Sequence, residues 1–457
     1  MARYCVQFLF LLTNLVILQH RFYRLIILSI DMEAIYHYMW LHEMRGRTLR
    51  MVDGRSVEVI SPGVHNSDAG PDFSYARLRV DDAVWVGNVE IHTRASDWFR
   101  HGHDTDPAYD SVSLHVVESD DIRISRRDGS VIPQVVIDVP ESVKSVYAGL
   151  VSGMDSIRCG HMLGKVSHIC LTDWFESLGV ERLIEKAARI REMMRISAGD
   201  REQALFVTLA RGMGFGLNSV PFELTARSIP IRYLFRHSDN VMQLEALFFG
   251  QAGMLDAADC EGDPYYAMLR REYKFLRGKY SLTPIRSGLW KYARTRPHNF
   301  PHLRLAALAA MFSGHYALSG SIMDARGDVD KLASCFKIEA GGYWREHSAF
   351  GRKRQKPLSC TLSDSSIRLL LVNVAAPFYY AMGAESGNPD IAAIGVDLLR
   401  RLPAENNSRI RLWRQHGIKI SDSFESQAVL QLSQAYCDRH RCLDCRFGCI
   451  FLKSGDR

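Results

Sequence analysis

The period of the apolar residues changes once along this chain, and that change limits the folds open to it. The runs "SVEVI" at 56–60, "DFSYARLRV" at 72–80, "AVWVGNVEIH" at 83–92, "SVSLHVVE" at 111–118 and "QVVIDV" at 134–139 are rich in β-branched residues and alternate apolar with polar. That is the pattern of strands with one buried face. Asp81-Asp82 supplies a two-residue turn between the second and third runs. After about residue 170 the period becomes helical. In "LTDWFESLGVERLIEKAARIREMM", Thr172 is placed to cap, and Leu183, Ile184, Ala187, Ile190 and Met194 line one face. "QALFVTLARGMGF", "LRLAALAAMF" and "SIRLLLVNVAAPFYYAMG" read the same way. Ahead of the strands, Met32 to about Leu49 forms an amphipathic helix through Ile35 and Met39. The expected class is therefore α+β: an N-terminal helix plus a small mixed β-sheet, followed by a mostly α-helical region.

A chain of 457 residues with 47% apolar and 24% charged content has the balance of a globular protein with sizeable cores. The expected divisions are 1–31, a nuclease-like α/β domain at 32–150, a helical domain at 170–435 and a Cys-rich segment at 436–453. The opening "VQFLFLLTNLVIL" looks like the apolar centre of a signal peptide, but no small-residue cleavage site follows. His20, Arg21 and Arg24 interrupt it short of the roughly 20 apolar residues that a membrane helix needs. Residues 1–31 are accordingly read as an upstream extension from a misassigned start, with Met32 beginning the folded chain. No stable membrane association is expected, and the expected location is the cytoplasm.

Two carboxylates in the central hairpin need a reason. On a strand Glu90 and His92 point the same way. If the hairpin pairs about Asp81-Asp82, residues whose numbers sum to about 163 face each other, which brings Asp72 near Ile91, beside both Glu90 and His92. Two close carboxylates repel unless a proton or cation intervenes. A hard divalent ion, Mg²⁺ or Mn²⁺, resolves the conflict and lowers the pKa of bound water. "SDWFRHGHDTDPAYDSVSLHVV" adds Asp97, His101, His103, Asp104, Asp106, Asp110 and His115. His101 and His103 are the candidates to reach phosphate or water, and His115 reads as a core histidine of its strand. His65 and Asp68 are further candidates on the preceding loop.

"PD" at 71–72 followed by "EIH" at 90–92 resembles the signature of the PD-(D/E)xK nuclease superfamily, whose fold is restriction-endonuclease-like. The resemblance implies Asp72 and Glu90 as metal ligands and Glu33 or Glu43 as a first-helix acid. His92 stands where that pattern has lysine. On a larger scale "WLHEMRG", "PGVHNSDAGPDF", "GNVEIHTRASDWFRHGHDTDPAYDSVSLHVV", "FFGQAGML", "RREYKFLRGKY" and "CDRHRCLDC" resemble an uncharacterised bacterial family filed only as a domain of unknown function, over residues 32 to 453.

The net charge of +6 is modest, but between Tyr265 and Arg304 ten Arg or Lys stand against one acid, Glu272. Tyr273, Phe275, Tyr280, Trp290, Tyr292 and Phe300 are interleaved with them. That mixture suits phosphate contacts and base stacking, with Arg270, Arg271, Lys274 and Arg277 as the leading contacts. Four of the ten cysteines, Cys437, Cys442, Cys445 and Cys449, fall within "CDRHRCLDCRFGC". Their spacing suits Zn²⁺ or an iron–sulfur cluster, and Cys159 joins if the C-terminus folds back. The function these readings converge on is a divalent-metal-dependent nuclease or phosphodiesterase acting on nucleic acid. The alternatives are a catalytically inactive nucleic-acid-binding or scaffold protein on a degenerate nuclease fold, and a metal hydrolase of another substrate built from the His/Asp loop.

Overall fold

The computed structural model describes residues 32–66, 68–153, 155–256, 260, 262–293, 300–314, 317–357 and 361–455. The reading of residues 1–31 as an upstream extension lies outside them. Two compact units emerge: one runs to His168 and resumes at Ser433, and the other is Ile169–Leu432. The class is the α+β arrangement expected.

The first unit opens with helix α1, Glu33–Glu43. It is shorter than the periodicity suggests, because Gly46 turns the chain through a positive φ of 77° and β1, Thr48–Arg50, begins at once. The sheet continues with β2 (Ser56–Ser61), β3 (Val64–His65), β4 (Phe73–Val80), β5 (Ala83–Arg94), β6 (Val112–Ser119) and β7 (Gln134–Val136). Its order is β1-β2-β4-β5-β6-β7, with β3 paired to β4. The β5–β6 and β6–β7 pairs are parallel and the others antiparallel, so the sheet is mixed. A parallel pair cannot be closed by a tight turn and needs a longer crossover. The segment between β5 and β6 is that crossover, and it carries the short helix α2, Asp97–Arg100.

Alternation sets the two faces. Val57, Val59, Phe73, Leu78, Val89, Ile91, Leu114 and Val116 form one core with Ile35, Tyr36, Met39 and Trp40 of α1 and with Val143 and Tyr147 of helix α3, Glu141–Ser152. Under the other face Trp98 packs with Ala95, Val112, Val117, Ile124 and Ile132. Glu90, His92 and His115 belong to that second face by the same period of two.

The second unit is built from helices. In its first helix, His168–Ile196, Leu183, Ala187, Ile190 and Met194 are buried as the spacing predicts. Ile184 is 48% exposed, because it lies about 100° round the helix from Leu183. Thr172, read as the cap, sits inside the helix, which starts four residues earlier. Helical residues Asp364–Ser386 are long and apolar enough to cross a membrane, and most of their apolar stretch is buried inside the protein. A π-turn at Leu371–Ala375 interrupts them.

Candidate metal centre

Glu90 and His92, two residues apart on β5, are both almost fully buried, at 4% and 1% exposure. The chain beyond them is fastened in steps. Thr93 Oγ1 and Arg94 N donate to Asp97 Oδ2 at 3.2 and 3.3 Å, tying the strand end to α2. His101 N then donates to Asp97 O and His103 N to Trp98 O, while Gly102 between them takes a φ of +77°. Trp98 is itself held by Nε1 donating to Ser125 O at 3.2 Å. This turn folds two histidines back over the strand. His101 Nδ1 stands 3.1 Å from His92 Nε2. His103 Nε2 stands 3.2 Å from Glu90 Oε1, which is 3.6 Å from His92 Nε2. One nitrogen from each of His92, His101 and His103 falls within 4.8 Å of the others. Tyr109 stacks on His103 with ring centroids 3.7 Å apart. Behind them β6 places His115 in register with Glu90, its Nε2 2.8 Å from His92 Nδ1.

Asp72 reaches this face through a backbone irregularity. From Val80↔Ala83 to Ala76↔Gly87 the hairpin keeps the expected register, but Phe73 pairs with Val89. Two residues, Ser74 and Tyr75, thus oppose Asn88 alone, which is a β-bulge. Tyr75 takes a φ of +59° with its ring 74% exposed, and its N donates to Asn88 Oδ1 at 3.3 Å. The straight register would have set Asp72 opposite Ile91, on the apolar layer. The bulge sets it opposite Glu90. Asp72 N donates to Glu90 Oε2 at 3.1 Å, and Asp72 Oδ2 accepts from Ile91 N at 2.9 Å. Asp72 also meets α1: His37 Nε2 lies 3.3 Å from Asp72 Oδ2, and Glu33, one helical turn earlier, completes a second donor set within 4.8 Å.

The electrostatics separate the imidazoles. Burial, with the charges of His115, His103 and His101, pushes His92 down to about 2. Burial likewise pushes His115 to about 3, with His103 adding to the effect. Both are therefore neutral nitrogen donors. Burial also lowers His37, but the Asp72 contact outweighs it with help from Glu33 and Glu90, and the net shift is upward. Burial raises Glu90, Asp72 adding to the shift and His103 opposing it. The imidazole that lies against Asp72 is that of His37, 3.3 Å from Oδ2.

Nitrogen and oxygen donors at about 2.0–2.2 Å from a tetrahedral ion lie about 3.3–3.6 Å from one another. His92 Nε2 and His101 Nδ1, 3.1 Å apart, stand close to that spacing, with a nitrogen of His103 within 4.8 Å of both, and Glu90 Oε1 borders His103 and His92 at 3.2 and 3.6 Å. Three imidazoles suit Zn²⁺ better than Mg²⁺ or Mn²⁺, which prefer oxygen. Glu33, His37 and Asp72 form the harder set beside them.

The remaining sequence candidates divide. Glu33 joins the site; Glu43 lies at the far end of α1, paired with Lys453 at 3.2 Å and Arg47 at 4.0 Å. Asp97 holds the turn, Asp106 accepts from Ala108 N, and Asp110 pairs with Arg127. The His65 ring packs on Phe73 and His37, and Asp68 N donates to Asn66 Oδ1. In the second unit Arg270, Arg271, Lys274 and Arg277 line one groove on the exposed side of the helix Pro264–Tyr280. Of the interleaved aromatics Phe275 and Tyr292 are exposed, at 62% and 39%, while Tyr273 and Trp290 are core residues. Cys442 and Cys445 gather with Cys437 and Cys159 around one pocket, and Cys449 is not among its lining residues. Sequence reasoning missed His37, whose signal was the four-residue step from Glu33 on one helix face, and Tyr109, which had none.

Comparison with known proteins finds no match among curated proteins and none among solved structures. A family model does match, over residues 33–408, nearly all of the described fold. The chain belongs to the family described as "Protein of unknown function (DUF2851)".

Proposed function

We propose that the first unit is a divalent-metal-dependent hydrolase of phosphodiesters and that its substrate is nucleic acid. The observation that carries this reading is the convergence of a buried and a half-buried carboxylate and four histidines from α1, β4, β5 and the crossover, brought about by the Tyr75 bulge and the Asp97-fastened turn. Bound to His92, His101 and His103, a divalent ion would supply an activated water and neutralise charge on a phosphate. Glu90, its Oε1 bordering two of those imidazoles, is placed to accept a proton from such a water. His115 fixes the ring of His92 through Nδ1. Asp72 holds His37 and, through its backbone, Glu90. The four basic side chains along one groove supply the polyanion contact.

The test is cleavage of plasmid, single-stranded DNA and RNA in Mn²⁺, Zn²⁺ and Mg²⁺ by the parent chain, Asp72→Asn, Glu90→Gln and His103→Ala, with Glu43→Ala as the control. Activity with Mn²⁺ or Zn²⁺ that falls at least a hundredfold in the first three and not in the control is expected; cleavage indifferent to Asp72 and Glu90 rejects the assignment. The neutral His92 in place of lysine favours a second reading, nucleic-acid binding without turnover. That reading predicts salt-sensitive binding and no cleavage with any of the three ions.

A further inference from the structure

The four cysteines around the C-terminal pocket come from two distant stretches of the first unit. Cys159 follows α3, and Cys437, Cys442 and Cys445 precede the C-terminal helix Arg446–Gly455. The pocket opens to solvent on one side, and Leu150, Tyr436 and Gly448 line it beside these four cysteines. Cys445 N donates to Cys442 O at 3.3 Å, closing the turn that brings the last two together. Gly448 is required for that closure, since a Cβ there would stand 1.9 Å from Cys442 O. Cys445 ends the turn one residue before the helix, where the amides of the first turn favour negative charge on sulfur. Arg158 and Arg441 border the same pocket. Arg158 holds His440 at 2.8 Å and Gly153 O at 3.0 Å, so it fastens the C-terminal segment to the end of α3.

Cys449, which the spacing of the cysteines had put in the set, lies elsewhere. Its Sγ is 3.3 Å from Leu443 O, and it interacts with Tyr38 at the edge of the sheet core. Cys159 takes its place. Burial and the nearby Cys445 and Cys442 raise the Cys159 thiol to about 12, and the same sulfurs act on Cys437.

The sulfur spacing distinguishes the kinds of metal. Zinc with Zn–S bonds of about 2.3 Å draws its four sulfurs to about 3.8 Å from one another. Among the described residues no three of these sulfurs share a 4.8 Å sphere, although the two histidine-containing sets do. A wider ring of sulfurs suits a cluster whose own irons and sulfides fill the middle. We infer that Cys159, Cys437, Cys442 and Cys445 ligate an iron–sulfur cluster that clips the C-terminal segment to the end of α3, and that Cys449 is not a ligand.

The experiment uses the full chain purified anaerobically, with iron, sulfide and zinc analysis and a visible spectrum. Iron and sulfide in at least twofold molar amount with a broad visible absorbance are expected. They should persist in Cys449→Ser and His103→Ala and be lost in Cys159→Ser and Cys442→Ser. Because the last two can fail to fold, thiol labelling of the parent chain is mapped by mass spectrometry before and after iron is stripped. Labelling of Cys449 should be the same before and after stripping, and the four ligands should label only after it. Metal-free parent protein, zinc in place of iron on these sulfurs, or a cluster that needs Cys449 and not Cys159 overturns the inference. None of these outcomes depends on whether the histidine site is hydrolytic.

Discussion

Replacing Glu245 by glutamine should remove most of one pH-dependent component of stability from the second unit. Glu245 is fully buried in the helix Val241–Gln251. Oε2 accepts from the Tyr265 hydroxyl at 2.6 Å and Oε1 from Trp344 Nε1 at 3.0 Å. Burial raises the carboxyl from 4.5 to about 7, against the partial relief of those two donors. The folded protein therefore binds this proton more tightly than the unfolded chain. The contribution is complete below pH 4.5, declines between 4.5 and about 7, and is gone above. About 2.5 units at 1.36 kcal/mol each gives about 3 kcal/mol, a substantial part of a domain's typical 5–15 kcal/mol. Glutamine keeps both contacts, with the Tyr265 hydroxyl turned from donor to acceptor, and has no charge to bury. Its stability relative to the parent should rise by about 3 kcal/mol from pH 4.5 to pH 8. Urea unfolding at half-unit steps of pH, followed by tryptophan fluorescence, gives that difference directly. His302, lowered to about 3 by burial and then Arg352, has the opposite slope below neutrality, but it is common to both proteins and cancels. Parallel stability curves for parent and variant across this window would refute the reasoning.

Tyr75→Gly should raise stability by about 1 kcal/mol, because the exposed tyrosine already bears the strain of a positive φ that glycine does not, and Tyr75→Val should lower it, because a β-branched residue tolerates that φ least; paired thermal melts check it. His115→Ala should weaken metal binding about 10–100-fold, as losing a group that orients a ligand does, with His115→Gln closer to the parent; competition against a chelator of known affinity gives the numbers. Neutralising Arg270, Arg271, Lys274 and Arg277 together should cut the salt dependence of nucleic-acid binding by about three in log–log slope, measured by fluorescence anisotropy over a salt series.

The strands of the first unit were legible because each alternates cleanly and because Asp81-Asp82 has the chemistry of a hairpin turn. β1 and β3, with three and two residues, are too short to show a period. The bulge was illegible for a different reason. "DFSYARLRV" alternates well enough to be read as one straight strand, and the extra residue exists only in relation to β5. Periodicity describes a strand and is silent on its partner. The same limit left Cys159 conditional on the C-terminus folding back. Local spacing made Cys449 the natural fourth sulfur, whereas the chain fold brings in a cysteine from the other side of the helical unit in sequence.

The site itself was legible as a set of residue types and not as a division of labour. Asp72 and Glu90 suggested a hard ion between two carboxylates, with His92 as an imperfect lysine. Burial among three other imidazoles makes a cationic His92 untenable, so that ring can only donate a lone pair or a neutral N–H. With His92 a neutral donor, its nitrogen and those of His101 and His103 form a set whose chemistry suits Zn²⁺ better than Mg²⁺. The charge that a lysine would have brought is then needed elsewhere, because Asp72 and Glu90 still adjoin. His37, raised by its contact with Asp72, approaches that carboxylate from α1. The two carboxylates are thus flanked by different imidazoles, Asp72 by His37 at 3.3 Å and Glu90 by His103 and His92 at 3.2 and 3.6 Å, and replacing His37 perturbs Asp72 before it perturbs Glu90.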